Sequence, residues 1–129
     1  MFAELNVFRM AHGMAFHAGQ RQSVIAQNMA NSDTPGHRAR DLVPFTELVA
    51  RGADTAALRA TRPGHLGDTG DNPFHSEPTQ SSLPLAEGQN AISVEEEMVK
   101  AVETKRQHDR ALAIYRSSLT LLRTSLGRG

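Results

Sequence analysis

The sequence predicts an all-α protein whose long N- and C-terminal helices pack as a coiled-coil-like pair, with a largely irregular segment between them. Two observations carry this. Apolar residues recur every three or four positions at both ends of the chain, and five of the six prolines fall in the middle. With 129 residues there is room for one domain over positions 1–129, divided into an N-terminal helix over 1–31, a turn and irregular insert over 32–90, and a C-terminal helix over 91–129.

From Phe2 to about Ala30 there is no proline, and Val7, Met10, Ala11, Met14, Ala18, Ile25 and Met29 form a helical stripe. Gly13 and Gly19 interrupt it, and each weakens an isolated helix by about 1 kcal/mol relative to alanine. The helix therefore needs a partner. Its polar positions carry amides and histidines more than charges, as suits a surface that other chains cover. Asn31-Ser32-Asp33-Thr34-Pro35-Gly36 then stops it, because proline disfavours helical geometry at Thr34 and Pro-Gly favours a turn.

In the middle zone Pro44 to Arg51 can form two helical turns. From Gly64 to Ser82 neither the helical nor the strand period is present, so the segment reads as loop, with at most a short hairpin.

The C-terminal helix is announced by Ser93 three residues before Glu96, the spacing of a capping box, and by Glu95, Glu96 and Glu97 at the positive end of the helix dipole. From Val94 an unbroken alternation of four and three residues runs through Met98, Ala101, Lys105, His108, Leu112, Tyr115, Leu119, Leu122 and Leu126, a heptad seam with two polar members. Gly127 is placed to end the helix in a left-handed conformation. A rod from Val94 to Leu126 is about 50 Å long and cannot bury its seam against itself. Pairing with the N-terminal helix covers part of the seam. The remainder implies neighbouring chains.

Composition narrows the function. Fourteen basic and fourteen acidic residues give no net charge, so no bulk attraction to nucleic acid or an anionic membrane is expected. The absence of cysteine excludes thiol catalysis, disulfides and thiolate metal sites. The N-terminus carries an acid before any base and no apolar core of a secretory signal, and no run of about 20 apolar residues spans a bilayer.

The segment Asn28-Met29-Ala30-Asn31-Ser32-Asp33-Thr34-Pro35-Gly36-His37 resembles the Asn-Ile-Ala-Asn-x-x-Thr-Pro-Gly-Tyr signature of the flagellar rod and hook axial proteins. Arg38 to Asp41 with Phe45, Thr61 to Leu66, and Glu87-Gly88-Gln89-Asn90 leading into Glu95 to Met98 fit rod members of that family, although His37 stands for tyrosine and Gln89 for a second asparagine. The resemblance implies a structural subunit of the proximal rod that polymerises through its terminal helices, exported without a cleaved signal. Its implied neighbours are further copies of itself, proteins of the FliE, FlgC and FlgF type, and the membrane ring and export gate. The signature residues Asn28, Ala30, Asn31, Thr34, Pro35 and Gly36 would shape the exit from the first helix. A cytoplasmic helical adaptor or secretion chaperone is the alternative, and it has no need of that signature.

Catalysis and cofactors find no support. The six histidines, His12, His17, His37, His65, His75 and His108, include no pair four apart on one helix face, so no metal is expected. Asp68 to Asn72 lacks the ligand spacing and closing glutamate of a calcium loop. The glutamates at 95–97 are assigned to the helix start, and Ser117, Ser118 and Ser125 have no base in reach along the helix.

Overall fold

A computed structural model describes residues 2–54, 74, 76–80 and 92–127. Helix α1 (Phe2–Ala30) is followed by β1 (Arg40–Asp41), α2 (Phe45–Asp54), β2 (Thr79–Gln80) and α3 (Val94–Leu126). The Pro44 carbonyl accepts from the amides of Glu47 and Leu48 and so opens α2. Strands β1 and β2 form a two-residue antiparallel bridge, Arg40 opposite Gln80 and Asp41 opposite Thr79.

Helices α1 and α3 are antiparallel neighbours: Asn28 meets Glu97, His17 meets Gln107, and the Phe8 ring stands edge-on to Tyr115 at 5.2 Å. Along α1 the buried or half-buried row is Ala11, Met14, Ala18, Arg21, Ile25 and Asn28, a heptad pattern in which small and polar side chains alternate with the large apolar Met14 and Ile25. On α3 the residues with the least exposure are Glu97, Thr104 and Ala111. Alanine and threonine at these crossings let the two backbones approach closely.

The seam read from the sequence of α3 is therefore displaced. The row Met98, Lys105, Leu112, Leu126 lies one residue beyond the row that meets α1, and Met98, Leu112, Tyr115 and Leu126 are 54%, 36%, 40% and 78% exposed. Val94, Ala101, His108, Leu119 and Leu122 are half-buried on the flanks. The physical reason lies on α1, where Asn28 and His17 hydrogen-bond Glu97 and Gln107 and Ala11 and Ala18 leave room for a close approach, so the polar and small row of α3 turns inward. Two further expectations change. Gly127 has φ −80° and extends the last turn, its amide bonding the Arg123 carbonyl, so it is not a left-handed cap. Gly13 is more than a weak point of α1, because Phe74 lies over it where a Cβ would stand 2.5 Å from the ring.

Candidate functional site

The end of α1 is built from its own sequence. The Asn31 side chain donates to the Gln27 carbonyl at 2.8 Å, satisfying one of the acceptors that a helix leaves open at its C-terminus. Thr34 donates its amide to the Asn31 carbonyl, and the His37 amide returns to the Thr34 carbonyl at 3.3 Å. Between them Pro35 and Gly36 occupy the central positions of a turn. Gly36 has φ 77°, a value that side chains with a Cβ strongly disfavour and that a type II turn requires at its third residue.

The chain then runs back along α1 as an extended strap, residues 38–44, held by one face of the helix. His17, Arg21, Val24 and Asn28 stand at spacings of four, three and four on that face. Asn28 grips the strap backbone in both directions: its Oδ1 accepts from the Arg40 amide at 3.0 Å and its Nδ2 donates to the Arg40 carbonyl at 2.7 Å. The same Nδ2 reaches Glu97 Oε2 at 3.1 Å, so one amide joins α1, the strap and α3. Lys100 donates to the other oxygen of Glu97 at 2.9 Å, which pairs a carboxylate that is only 2% exposed.

Two turns earlier, Arg21 holds Asp41 through two parallel bonds of 3.0 and 3.1 Å, a bidentate geometry that fixes orientation as well as charge. Burial pushes the Asp41 carboxyl up, but the bonds from Arg21 and from the Leu42 amide outweigh it, leaving the group below its ordinary range. The Arg21 guanidinium is correspondingly raised by its bond to Asp41. Beyond it, His17 Nε2 lies 2.8 Å from the Val43 carbonyl, so this nitrogen carries the proton, and Nδ1 is left to accept from Gln107 at 3.3 Å. Burial holds the imidazole below its usual value, the bond to Val43 opposes this, and the neighbouring Arg21 adds to the depression. The ring is a neutral structural link, tilted against Phe45, which in turn meets Phe74.

At the start of α3, Ser93 has extended backbone angles, and its hydroxyl accepts from the Glu96 amide at 3.4 Å while donating to Glu95 at 3.0 Å. The carboxylate near the serine is thus that of Glu95, whose pKa is lowered by its own amide and by that hydroxyl. Glu97 does not serve the helix start alone. It turns inward as the partner of Asn28.

Of the sequence-predicted residues, Asn28, Ala30, Asn31, Thr34, Pro35 and Gly36 are contiguous at the end of α1, and Asn28 alone of them is fully buried. His17, Arg21, Asp41 and Glu97 were missed as a set. The available signal was a line of polar residues on the same face of α1 as Ile25 and Asn28. Among the described residues no three His, Cys, Asp or Glu side chains gather as a metal site. The calcium-like stretch at 68–72, together with His65 and His75, lies outside the described residues. No described helix is long and apolar enough to cross a membrane.

An open groove of about 500 Å³ beside the strap is lined by Arg21, Asp41, Phe45, Arg106 and Arg110 among others. Of its two carboxylates, Asp41 is committed to Arg21 and Glu103 lies among Arg106 and Arg110, and the His17 ring is engaged by Val43 and Gln107. The arrangement locks a chain reversal onto a helix pair.

A flagellar basal body rod protein FlgB from Agrobacterium fabrum is 31% identical over 121 residues, covering 88% of this chain and 87% of the relative. The chain belongs to the FlgB family. FlgB of Escherichia coli K12 is 33% identical over 105 residues, covering 73% of each chain, and FlgB of Buchnera aphidicola is 24% identical over 128 residues, covering 92% and 93%. No family model matches the chain. Within the FlgB family reading, the locked reversal and the outward leucines of α3 are the two features that a rod subunit can use.

Proposed function

We propose that the chain is a structural subunit of the flagellar basal-body rod, packing through its paired terminal helices against neighbouring rod subunits. The observation that carries this is the inverted distribution of side-chain size. Within the helix pair the buried residues of α3 are Glu97, Thr104 and Ala111, while Met98, Val99, Val102, Leu121 and Leu126 stand more than half exposed on the same helix. Apolar surface of that kind on a helix is stabilised by a neighbour. Relatives named for the basal-body rod supply the assembly in which such neighbours occur.

On this reading the helix-packing seam Val94, Met98, Ala101, Leu112, Tyr115, Leu119, Leu122 and Leu126 is shared: the exposed Met98, Leu112 and Leu126 face a neighbouring subunit, while Tyr115 packs on Phe8 of α1. The Asn28–Gly36 signature with its strap fixes the direction in which the remaining chain leaves the pair. The neighbours are further copies and proteins of the FliE, FlgC and FlgF type, next to the membrane ring and export gate, and the protein works in the periplasm-spanning part of the rod after export without a cleaved signal. Its role is mechanical, and no catalysis is assigned to it.

An immunoblot of purified hook-basal bodies tests the reading. The chain is expected to stay with the basal body through detergent and salt washing; recovery solely from the cytoplasm of flagellated cells would favour the adaptor or chaperone. Leu112→Asp with Leu126→Asp, both at exposed positions, should abolish retention while leaving helicity by circular dichroism unchanged. Normal retention of that double variant would remove the seam from the argument.

A further inference from the structure

The strap completes its bonds to α1 within the chain, but the side of α3 that faces it is left uncompensated. Arg106 and Arg110 stand one turn apart and line the groove of about 500 Å³ between α3 and the strap. Both are exposed, and among the described residues neither takes part in an ion pair. Like charges four positions apart weaken a helix. Glu103 offers one carboxylate against these two guanidiniums, and it is also drawn by Arg21.

The rest of the lining does not relieve the excess. Arg21 and Asp41 neutralise each other, and His17 is neutral. Phe45 and Thr46, the first residues of α2, bring the positive end of that helix to the same groove, while Glu47 in that turn faces Arg51 instead. Met14, Leu42 and Phe45 supply an apolar surface beside these charges.

We infer that the groove holds an extended acidic segment of a different protein of the rod assembly, with an apolar side chain against Met14, Leu42 and Phe45 and carboxylates on Arg106 and Arg110. The inference rests on the rod reading above. Charge complementarity sets the acidity of the occupant. Size sets its form. Two turns of helix with their side chains, about 10 Å across and about 11 Å long, need about 850 Å³, more than the groove provides, whereas an extended chain places only a few side chains in it. A second copy of this chain does not fit that description among the described residues. Its extended stretches are the strap, whose Asp41 is held by Arg21, and residues 76–80, whose Glu77 is engaged; Glu95, Glu96 and Glu103 belong to a helix.

Photo-crosslinking of the full chain in its own cells tests this. The amino acid p-benzoyl-phenylalanine is placed at Thr46 or, in a second chain, at Pro44, both exposed on the groove. Cells are irradiated, hook-basal bodies isolated, and the crosslinked peptide identified by mass spectrometry. The expected product joins the groove to another protein at a stretch with at least two acidic residues beside the crosslink. A crosslink to this chain itself, or to a neutral or basic stretch, would overturn the inference. So would the lack of any crosslink from a chain retained in basal bodies, which leaves the rod reading intact; absence of the unaltered chain from basal bodies would defeat both. The identified segment, synthesised with a fluorophore, is then titrated into the purified chain by anisotropy. Arg106→Glu with Arg110→Glu, at unchanged helicity by circular dichroism, should weaken binding by about tenfold or more, and Arg106→Lys with Arg110→Lys should keep most of it. Equal binding by the glutamate variant would show that charge does not select the occupant and would overturn the inference.

Discussion

The two ends of the helix pair are held by different forces. At the strap end, Asn28, Arg21 and His17 tie α1 to the strap and to Glu97 and Gln107 of α3 by hydrogen bonds and one bidentate ion pair. At the opposite end the pair closes over Ala11 and Ala111 and the edge-on contact of Phe8 with Tyr115, and α3 runs on with Leu121 and Leu126 exposed. Directional bonds specify one geometry and leave nothing for a neighbour to add. Apolar surface tolerates several partners and gains stability whenever one arrives. The strap end is thus a fixed joint, and the far end with the outward face of α3 is where assembly contributes.

Breaking the joint should have the largest effect. Asn28→Leu removes the partner of the Arg40 amide and carbonyl and one donor to the buried Glu97 carboxylate. Unsatisfied buried groups cost about 1–3 kcal/mol each and more when charged, so a loss of about 3 kcal/mol or more is expected. Native-state hydrogen exchange should show the Arg40 amide unprotected, with little change at residues 112–126; an equal loss at both ends would mean that the pair is one cooperative unit and erase the contrast. Gly13→Ala comes next. Helix propensity alone favours alanine by about 1 kcal/mol. The Phe74 ring, 2.5 Å from the added Cβ, should reverse the sign and give a net loss of about 1–2 kcal/mol. Combining it with Phe74→Ala should recover the propensity gain, read as a higher melting temperature than Phe74→Ala by itself.

The same contrast explains what was legible in the sequence. Both long helices, the Pro-Gly stop with its positive φ at Gly36, and the cap at Ser93 rest on local rules of proline geometry, glycine freedom and side-chain capping, and each could be read without knowing the partner. The face of α3 that meets α1 could not. Periodicity finds the apolar row through Met98, Leu112 and Leu126, yet it carries no information on whether the same chain or a neighbour covers that row. Helix α1 decides this by presenting Ala11, Ala18, Arg21 and Asn28. The strap was hidden for a related reason: the bonds from Asn28 to Arg40 and from His17 to Val43 go to backbone atoms, which leave no residue-type signature at the accepting end. Glu97 read as one of three helix-start acids, because its inward turn depends on Asn28, 69 positions away.

Acid should loosen the joint before it affects the open end. His17 titrates below its ordinary value of 6.5 in the folded chain, so the unfolded chain binds the extra proton first, and stability falls as the pH drops below that value toward the folded pKa. Asp41, also depressed, extends the loss further into acid, since its contribution is present above the unfolded value of 3.8 and disappears as pH passes through the lower folded one. A series of urea melts between pH 7 and pH 5 should therefore show a declining midpoint, and His17→Gln should flatten that decline. An unchanged slope in the variant would place the acid sensitivity elsewhere.

The smallest effect is expected at the cap of α3. Replacing a serine cap by alanine typically costs about 0.5–2 kcal/mol. Here the hydroxyl-to-amide distance is 3.4 Å and the site is solvated, so Ser93→Ala should sit near the low end of that range. Its value lies in location, because the cap stands four residues before Glu97 on the strap side. If the joint is a rigid unit, fraying the first turn will be resisted by the Asn28 and Lys100 bonds to Glu97, and amide exchange should rise at Glu96 but not beyond Lys100. Exchange spreading past Thr104 would mean that the polar joint depends on its helix cap, and that the strap end is no more self-sufficient than the other.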